Sequence, residues 1–124
     1  MFKFPKNQKL CSKKVIERLF EKGNNIFEKP FKAVFLNETN SDNVFLKLLI
    51  IVSKKRLNKA SDRNIIKRIM KEACRLQKTQ LESYLKDNNM QLNLALIYQH
   101  EEILDYNLLK EKINLLLTRL IKEL

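Results

Sequence analysis

Residues that commonly carry catalysis or bind metals are scarce in this 124-residue chain, which has one histidine and two cysteines. Cys11 and Cys74 stand far apart without a Cys-x-x-Cys spacing, and one imidazole does not complete a zinc set. Two isolated thiols point to a reducing, cytoplasmic setting, with Cys74 as a small residue near a helix flank. His100, beside Glu101 and Glu102 at a predicted strand end, reads as a solvated loop residue. A P-loop, a nucleophile elbow and a metal-binding His pair are all missing. No active site borne by the protein is expected.

Breakers are equally rare. One glycine and two prolines leave long regular elements as the expectation. Long apolar runs are missing too: Leu48 to Val52 is far too short to span a bilayer. The N-terminus shows no long apolar run after Lys3, so no signal peptide is expected. A membrane partner is disfavoured because the apolar arc of the long basic helix is required for the core. An apolar content of 44% is ordinary for a globular chain, and the length suits one domain over residues 1–124.

Charge of one sign is what the chain has in excess. It carries 25 Lys and Arg against 14 Asp and Glu, a net +11. Such a surplus repels itself, so an anionic partner is expected to balance it. Nucleic acid is the commonest, an anionic membrane surface the next, and an AT-rich genome's lysine bias the bland alternative. Position separates these readings. Ten cations lie between Ser53 and Lys78: Lys54, Lys55, Arg56, Lys59, Arg63, Lys67, Arg68, Lys71, Arg75 and Lys78. Only Asp62 and Glu72 oppose them, so +8 of the total sits in this window. Codon bias spreads lysine evenly and does not build such a cluster.

Hydrophobic spacing gives the element order helix, strand, strand, helix, strand, helix, an α+β sandwich. Residues Met1 to Leu10 read as an irregular basic lead-in. Ser12 is expected to cap a helix to about Lys22, with Val15, Ile16, Leu19 and Phe20 on one face and Gly23 as its stop. Phe31 to Leu36 and Val44 to Val52 read as strands joined across the polar turn Asn37 to Asn43, so a hairpin is predicted. The run Leu48 to Val52 suggests burial on both faces and a central place in the sheet. A long helix is predicted from Asp62 or Arg63 to about Thr79 or beyond. At about 100° per residue, Arg63, Asn64, Lys67, Arg68, Lys71, Arg75 and Lys78 share one arc. Ile65, Ile66, Ile69, Met70, Ala73, Leu76 and Gln77 share the opposite one. Gln91 to Gln99 is the third strand. Asp105 caps a last helix through Leu120, with Leu109, Ile113, Leu116 and Leu120 inward.

The basic arc suits a phosphate backbone. Lys and Arg release counterions and give salt-sensitive binding. Arg63, Arg68 and Arg75 add the planar fork that grips phosphate with two hydrogen bonds. Asn64 suits a hydrogen bond to a backbone or base edge, or a cap.

At Ser53 to Arg75 (SKKRLNKASDRNIIKRIMKEACR) the sequence resembles the protein component of bacterial ribonuclease P. That family carries a strand ending in Ser-Lys-Lys, a short connector with Ala, and an Arg-Asn-Arg-x-x-Arg-like signature opening a basic helix. Val52, Ser53, Lys54, Lys55 and Ala60 match the first two parts. Arg63, Asn64, Lys67 and Arg68 match the signature, with Lys71 and Glu72 in place of its usual Arg-Glu pair. Lys9, Leu10, Phe20, Gly23 and Phe31 extend a weaker match over nearly the whole chain. Ile65 stands where the signature has its second Arg. Ile16 and Val34 replace frequent aromatics, and the third strand ends in Tyr98, Gln99 and His100 instead of a basic run.

The resemblance implies a mainly antiparallel sheet with three helices, like the second domain of ribosomal protein S5, with a left-handed βαβ crossover. It implies a protein subunit of a ribonucleoprotein endonuclease that removes the 5′ leader from precursor tRNA. Hydrolysis is then the work of the RNA subunit, with magnesium bound through RNA and no cofactor held by a dedicated protein site. The implied partners are the catalytic RNA and precursor tRNA. RNA binding falls to Lys54, Lys55, Arg56, Lys59, Arg63, Asn64, Lys67, Arg68, Lys71 and Arg75. A cleft between the first helix and the sheet, at Phe20, Phe31 and Lys32, is implied to hold the leader. A different RNA-binding protein, such as a ribosomal one, is the competing reading. A DNA-binding helix-turn-helix is disfavoured, because no helix and tight turn precede Arg63.

Overall fold

The computed structural model describes residues 12–39 and 44–124. The lead-in Met1 to Leu10, Cys11, and residues 40–43 of the polar turn lie outside them. The element order is α1 Lys13–Lys22, β1 Asn24–Glu28, β2 Phe31–Asn37, β3 Leu46–Val52, α2 Ala60–Asp87, β4 Leu92–Tyr98 and α3 Tyr106–Glu123. The four strands form one mixed sheet in the order β1-β2-β4-β3.

Three helices and three strands follow the sequence expectation, with two corrections in the sheet. The β2–β3 hairpin does not form. β4 lies between the two strands, antiparallel to β2 and parallel to β3. The hairpin in the structure is β1–β2, closed by Lys29 and Pro30 across the pair Glu28↔Phe31. β1 escapes a pattern reading because only Ile26 of its five residues is buried. Nor is β3 central. All seven residues of β4 are buried, whereas β3 is an edge strand. The apolar run of β3 reports layers above and below it, which an edge strand can have as well as an inner one.

Those layers are two unequal cores. Ile26, Phe31, Ala33, Phe35, Leu46, Leu48, Leu92, Leu94, Leu96 and Tyr98 meet α2 and α3 on one face. α2 contributes Ile66, Met70, Ala73, Cys74, Leu81 and Leu85; α3 contributes Leu109, Ile113, Leu116, Leu117 and Leu120. Each fully buried leucine or isoleucine there is worth roughly 1.5–3 kcal/mol relative to exposure. On the other face α1 seals a smaller cluster, in which Leu19 joins Val34, Ala95 and Ile97, with Val15, Ile16, Leu36, Leu49 and Ile51 around them.

Helix ends follow local chemistry. The Ser12 hydroxyl accepts from Val15 N, and the Asp105 carboxylate accepts from Asn107 N and Leu108 N. Gly23 ends α1, but its φ of −71° is not left-handed. Its smallness matters through close approach instead. A Cβ there would overlap the Leu19 carbonyl oxygen and lie 2.9 Å from Val34 Cγ1. Cys74 sits in the main core instead of at a flank, and burial pushes its thiol up to about 12. No helix of the described residues is long and apolar enough to cross a membrane.

Candidate nucleic-acid interface

The connector between β3 and α2 is built by its own backbone. Ser53 N donates to Tyr98 O at 3.3 Å, which extends the β3–β4 pairing by one residue. The chain then turns: Leu57 N donates to Ser53 O at 2.9 Å and Arg56 N to Ser53 Oγ at 3.3 Å. Leu57 is buried by this turn, while Lys54, Lys55 and Arg56 are left exposed. α2 begins at Ala60, ahead of the expected Asp62 or Arg63. Its N-cap Lys59 makes no side-chain cap, so no capping signal marked the boundary. Asn64 is already inside the helix and exposed, so it is not the cap. Arg63 folds back, its Nη1 donating to Leu57 O at 3.0 Å and Asn58 O at 2.8 Å.

The long helix divides into three sectors. Ile66, Met70, Ala73 and Cys74 face the core. Asn64, Arg68, Lys71 and Arg75 follow i, i+4, i+7, i+11 along a second side. Ile65 and Leu76, expected in the core, are 41% and 46% exposed and form the border between the two with Ile69. At about 100° per residue they lie roughly 85–125° from the core axis, so a two-sided reading misplaces them.

Ion pairs are unevenly spread over the surface. Arg18 is hydrogen-bonded to Glu38, and Lys112 and Arg119 reach Glu28. Arg75 pairs with Glu72 at 2.8 Å, and that guanidinium holds the Glu72 carboxyl below its usual range. Lys78 pairs with Glu82 at 3.5 Å. Lys54, Lys55, Arg56, Lys59, Lys67, Arg68 and Lys71 form no ion pair among the described residues; lysines such as Lys13, Lys14 and Lys86 are unpaired as well, but it is here that unpaired cations are densest along the chain. Seven such cations on one connector and two helical turns are a charge arrangement suited to a polyanion.

The three residues assigned to a cleft separate. Phe31 is 1% exposed and packs edge-on to Tyr98, with ring centroids 5.6 Å apart, so its ring presents no face to a ligand. Its strand position gives it the α2–α3 side of the sheet. Phe20 is 44% exposed on α1. Lys32 lies on the α1 side, in a row running Phe27, Lys32, Ile97, Ile51 across all four strands. Lys32 Nζ stands 5.4 Å from the Phe27 ring centroid, a cation–π contact. Phe27, 58% exposed, was missed because β1 was missed. The row ends one residue before Val52, so it abuts the basic connector.

A groove of about 770 Å³ is the other feature hidden from the sequence, lined by Asn64, Lys67, Arg68, Ile69, Lys71, Glu72 and Tyr106. It needs α3 beside α2, a contact between residues more than thirty positions apart. His100 is a loop residue whose Nδ1 accepts from Glu102 N at 3.1 Å. Among the described residues no three His, Cys, Asp or Glu side chains converge where they could hold a metal ion.

An α+β sandwich with an uncompensated cationic helix and connector defines a small RNA-binding protein of the kind that works inside a ribonucleoprotein. The Ribonuclease P family model matches residues 4–121, and the chain belongs to that family. The ribonuclease P protein component of Porphyromonas gingivalis is 27% identical over 105 residues, 85% of this chain and 77% of the relative. The Staphylococcus aureus RNase P protein shares the fold at a TM-score of 0.72, with 20% identity over 90% of this chain and 94% of that one. The Thermotoga maritima RNase P protein does so at 0.66, with 21% identity over 90% and 96%. The protein is thus a subunit of the RNA-catalysed endoribonuclease that removes the 5′ leader from precursor tRNA, and it associates with the RNA subunit.

Proposed function

We propose that the RNA subunit docks on the connector and the first turns of α2, and that the precursor's single-stranded leader lies along the α1 side of the sheet. The dense run of seven cations that form no ion pair among the described residues supports the first half. Each can displace counterions from a phosphate, and Arg68 can do so with a two-pronged grip. Lys54, Lys55, Arg56, Lys59, Arg63, Asn64, Lys67, Lys71 and Arg75 complete that surface.

Phe20, Phe27 and Lys32 support the second half. An exposed ring beside a cation offers a base something to stack on and its phosphate a counter-charge, with little sequence preference. Phe31 drops out of the set because its ring is buried. Magnesium, which the family resemblance places on the RNA, would supply the hydrolytic chemistry there. The protein's contribution is to position the leader and lower the electrostatic cost of bringing two RNA chains together.

Reconstitution tests this. The protein should stimulate precursor tRNA cleavage by a bacterial ribonuclease P RNA at low magnesium and show no nuclease activity alone. Arg68→Ala should weaken assembly and reduce the salt slope of binding by about 1. Lys86→Ala, at the far end of α2, should leave both unchanged. Equal binding by the two variants at matched salt refutes the docking surface.

A further inference from the structure

The groove beside α2 combines features that phosphate contacts alone do not need. Asn64, Lys67, Arg68 and Lys71 form its polar and cationic side, and Ile69 and Tyr106 its apolar side. The single carboxylate in it, Glu72, is already engaged by Arg75. Tyr106 is 39% exposed, unusual for a large ring beside so many solvated cations. The helix end that carries it is anchored. Asp105 caps the helix immediately before it, and Gln77 Nε2 of α2 donates to Lys110 O one turn further along α3.

We propose that this groove takes one unstacked base of the RNA subunit, which stacks on the Tyr106 ring. Ile69 supplies the apolar floor, and Arg68 and Lys71 hold the phosphates on either side. The geometry follows from three needs of an extruded nucleotide: a flat apolar surface for the base, cations for the flanking backbone, and a hydrogen-bonding group at the edge. Tyr106, the Arg68–Lys71 pair and Asn64 provide them in one cavity, whose volume is ample for a nucleotide. Tyr106 is therefore an RNA-binding residue outside the basic stretch, contributed by a different helix. The inference rests on the docking surface proposed above and adds a contact of a different physical kind.

The two contacts have different signatures. Removing a phosphate contact lowers affinity and flattens the salt dependence, whereas removing a stacking contact lowers affinity at constant slope. Binding of the ribonuclease P RNA is measured against salt for Tyr106→Ala, Tyr106→Phe and Arg68→Ala, with circular dichroism as the folding control. Tyr106→Ala should bind on the order of tenfold more weakly with the slope unchanged, and Tyr106→Phe should bind like the parent. The chain has no tryptophan. Tyr106→Trp therefore introduces a single reporter, whose fluorescence should be quenched when the RNA is added. Wild-type binding by Tyr106→Ala alongside weakened Arg68→Ala overturns the stacked base and leaves the docking surface standing. Equal losses in Tyr106→Ala and Tyr106→Phe also overturn it, since the hydroxyl would then be the contact. Wild-type binding by both Tyr106→Ala and Arg68→Ala overturns the docking surface itself.

Discussion

Arg63 donates from Nη1 to the Asn58 carbonyl oxygen at 2.8 Å, so a signature cation of the basic helix also ties down the connector that precedes it. The same nitrogen reaches Leu57 O. A lysine here has donors enough for both carbonyls but lacks the reach and the rigid planar geometry of the guanidinium, so it holds them less well. Arg63→Lys should therefore speed amide hydrogen exchange across residues 54–58. It should also cost more RNA affinity than Lys54→Ala, despite preserving charge. Unchanged exchange would show that the turn at Ser53 holds the connector unaided.

Gly23 is a point of close approach between α1 and the sheet. Gly23→Ala places a methyl against the Leu19 carbonyl and Val34, neither of which can swing away cheaply. The expected cost is about 1–3 kcal/mol, typical of overpacking. Urea denaturation should show the loss as a lower midpoint with an unchanged slope.

Glu38 gives α1 a pH-dependent tether. Its carboxyl is held below the usual range, first by the hydrogen bond from Arg18. A depressed carboxylate stabilises the fold above its unfolded value and stops doing so as pH falls through its folded value. Glu38→Gln should thus be less stable than the parent at neutral pH and match it at pH values below the depressed range. Arg18 is exposed, so the difference is small and should shrink with added salt. Parallel stability curves for the two proteins down to pH 2 would contradict this.

Cys74 should behave as a core atom. With its thiol pushed up to about 12 by burial, almost no thiolate exists at neutral pH. In a Cys11→Ser background, iodoacetamide labelling of Cys74 should follow global unfolding. Rapid labelling of the folded protein would mean that the α2 core opens locally.

What was legible in the sequence was mostly local. The Ser12 and Asp105 caps, the three helices and the inward leucines of α3 depend on residues a few positions apart. The basic arc of α2 was legible for the same reason. Pairing was not. An apolar strand such as β3 looks the same whether its neighbour is the preceding strand or one forty residues later, because β4 supplies the hydrogen bonds from outside the pattern. Phe31 shows the limit within one strand. Its neighbour Lys32 points to the α1 side, and a one-residue shift in phase decides which of them enters the core. Tyr106 gave no sign at all. Its place in the groove depends on α3 crossing α2, which no spacing within either helix records.

The position of β4 also sets a fixed thickness. α2 lies on one side of the sheet and the Phe27–Lys32 row on the other, with a single packed helix-on-sheet layer, on the order of 10 Å, between their backbones. A densely packed layer of this kind is nearly incompressible. On the docking proposed above, an RNA gripping α2 and a strand lying along that row would be kept apart by a constant offset, and the domain would serve as a molecular ruler. Its length would be set by the buried side chains of β4.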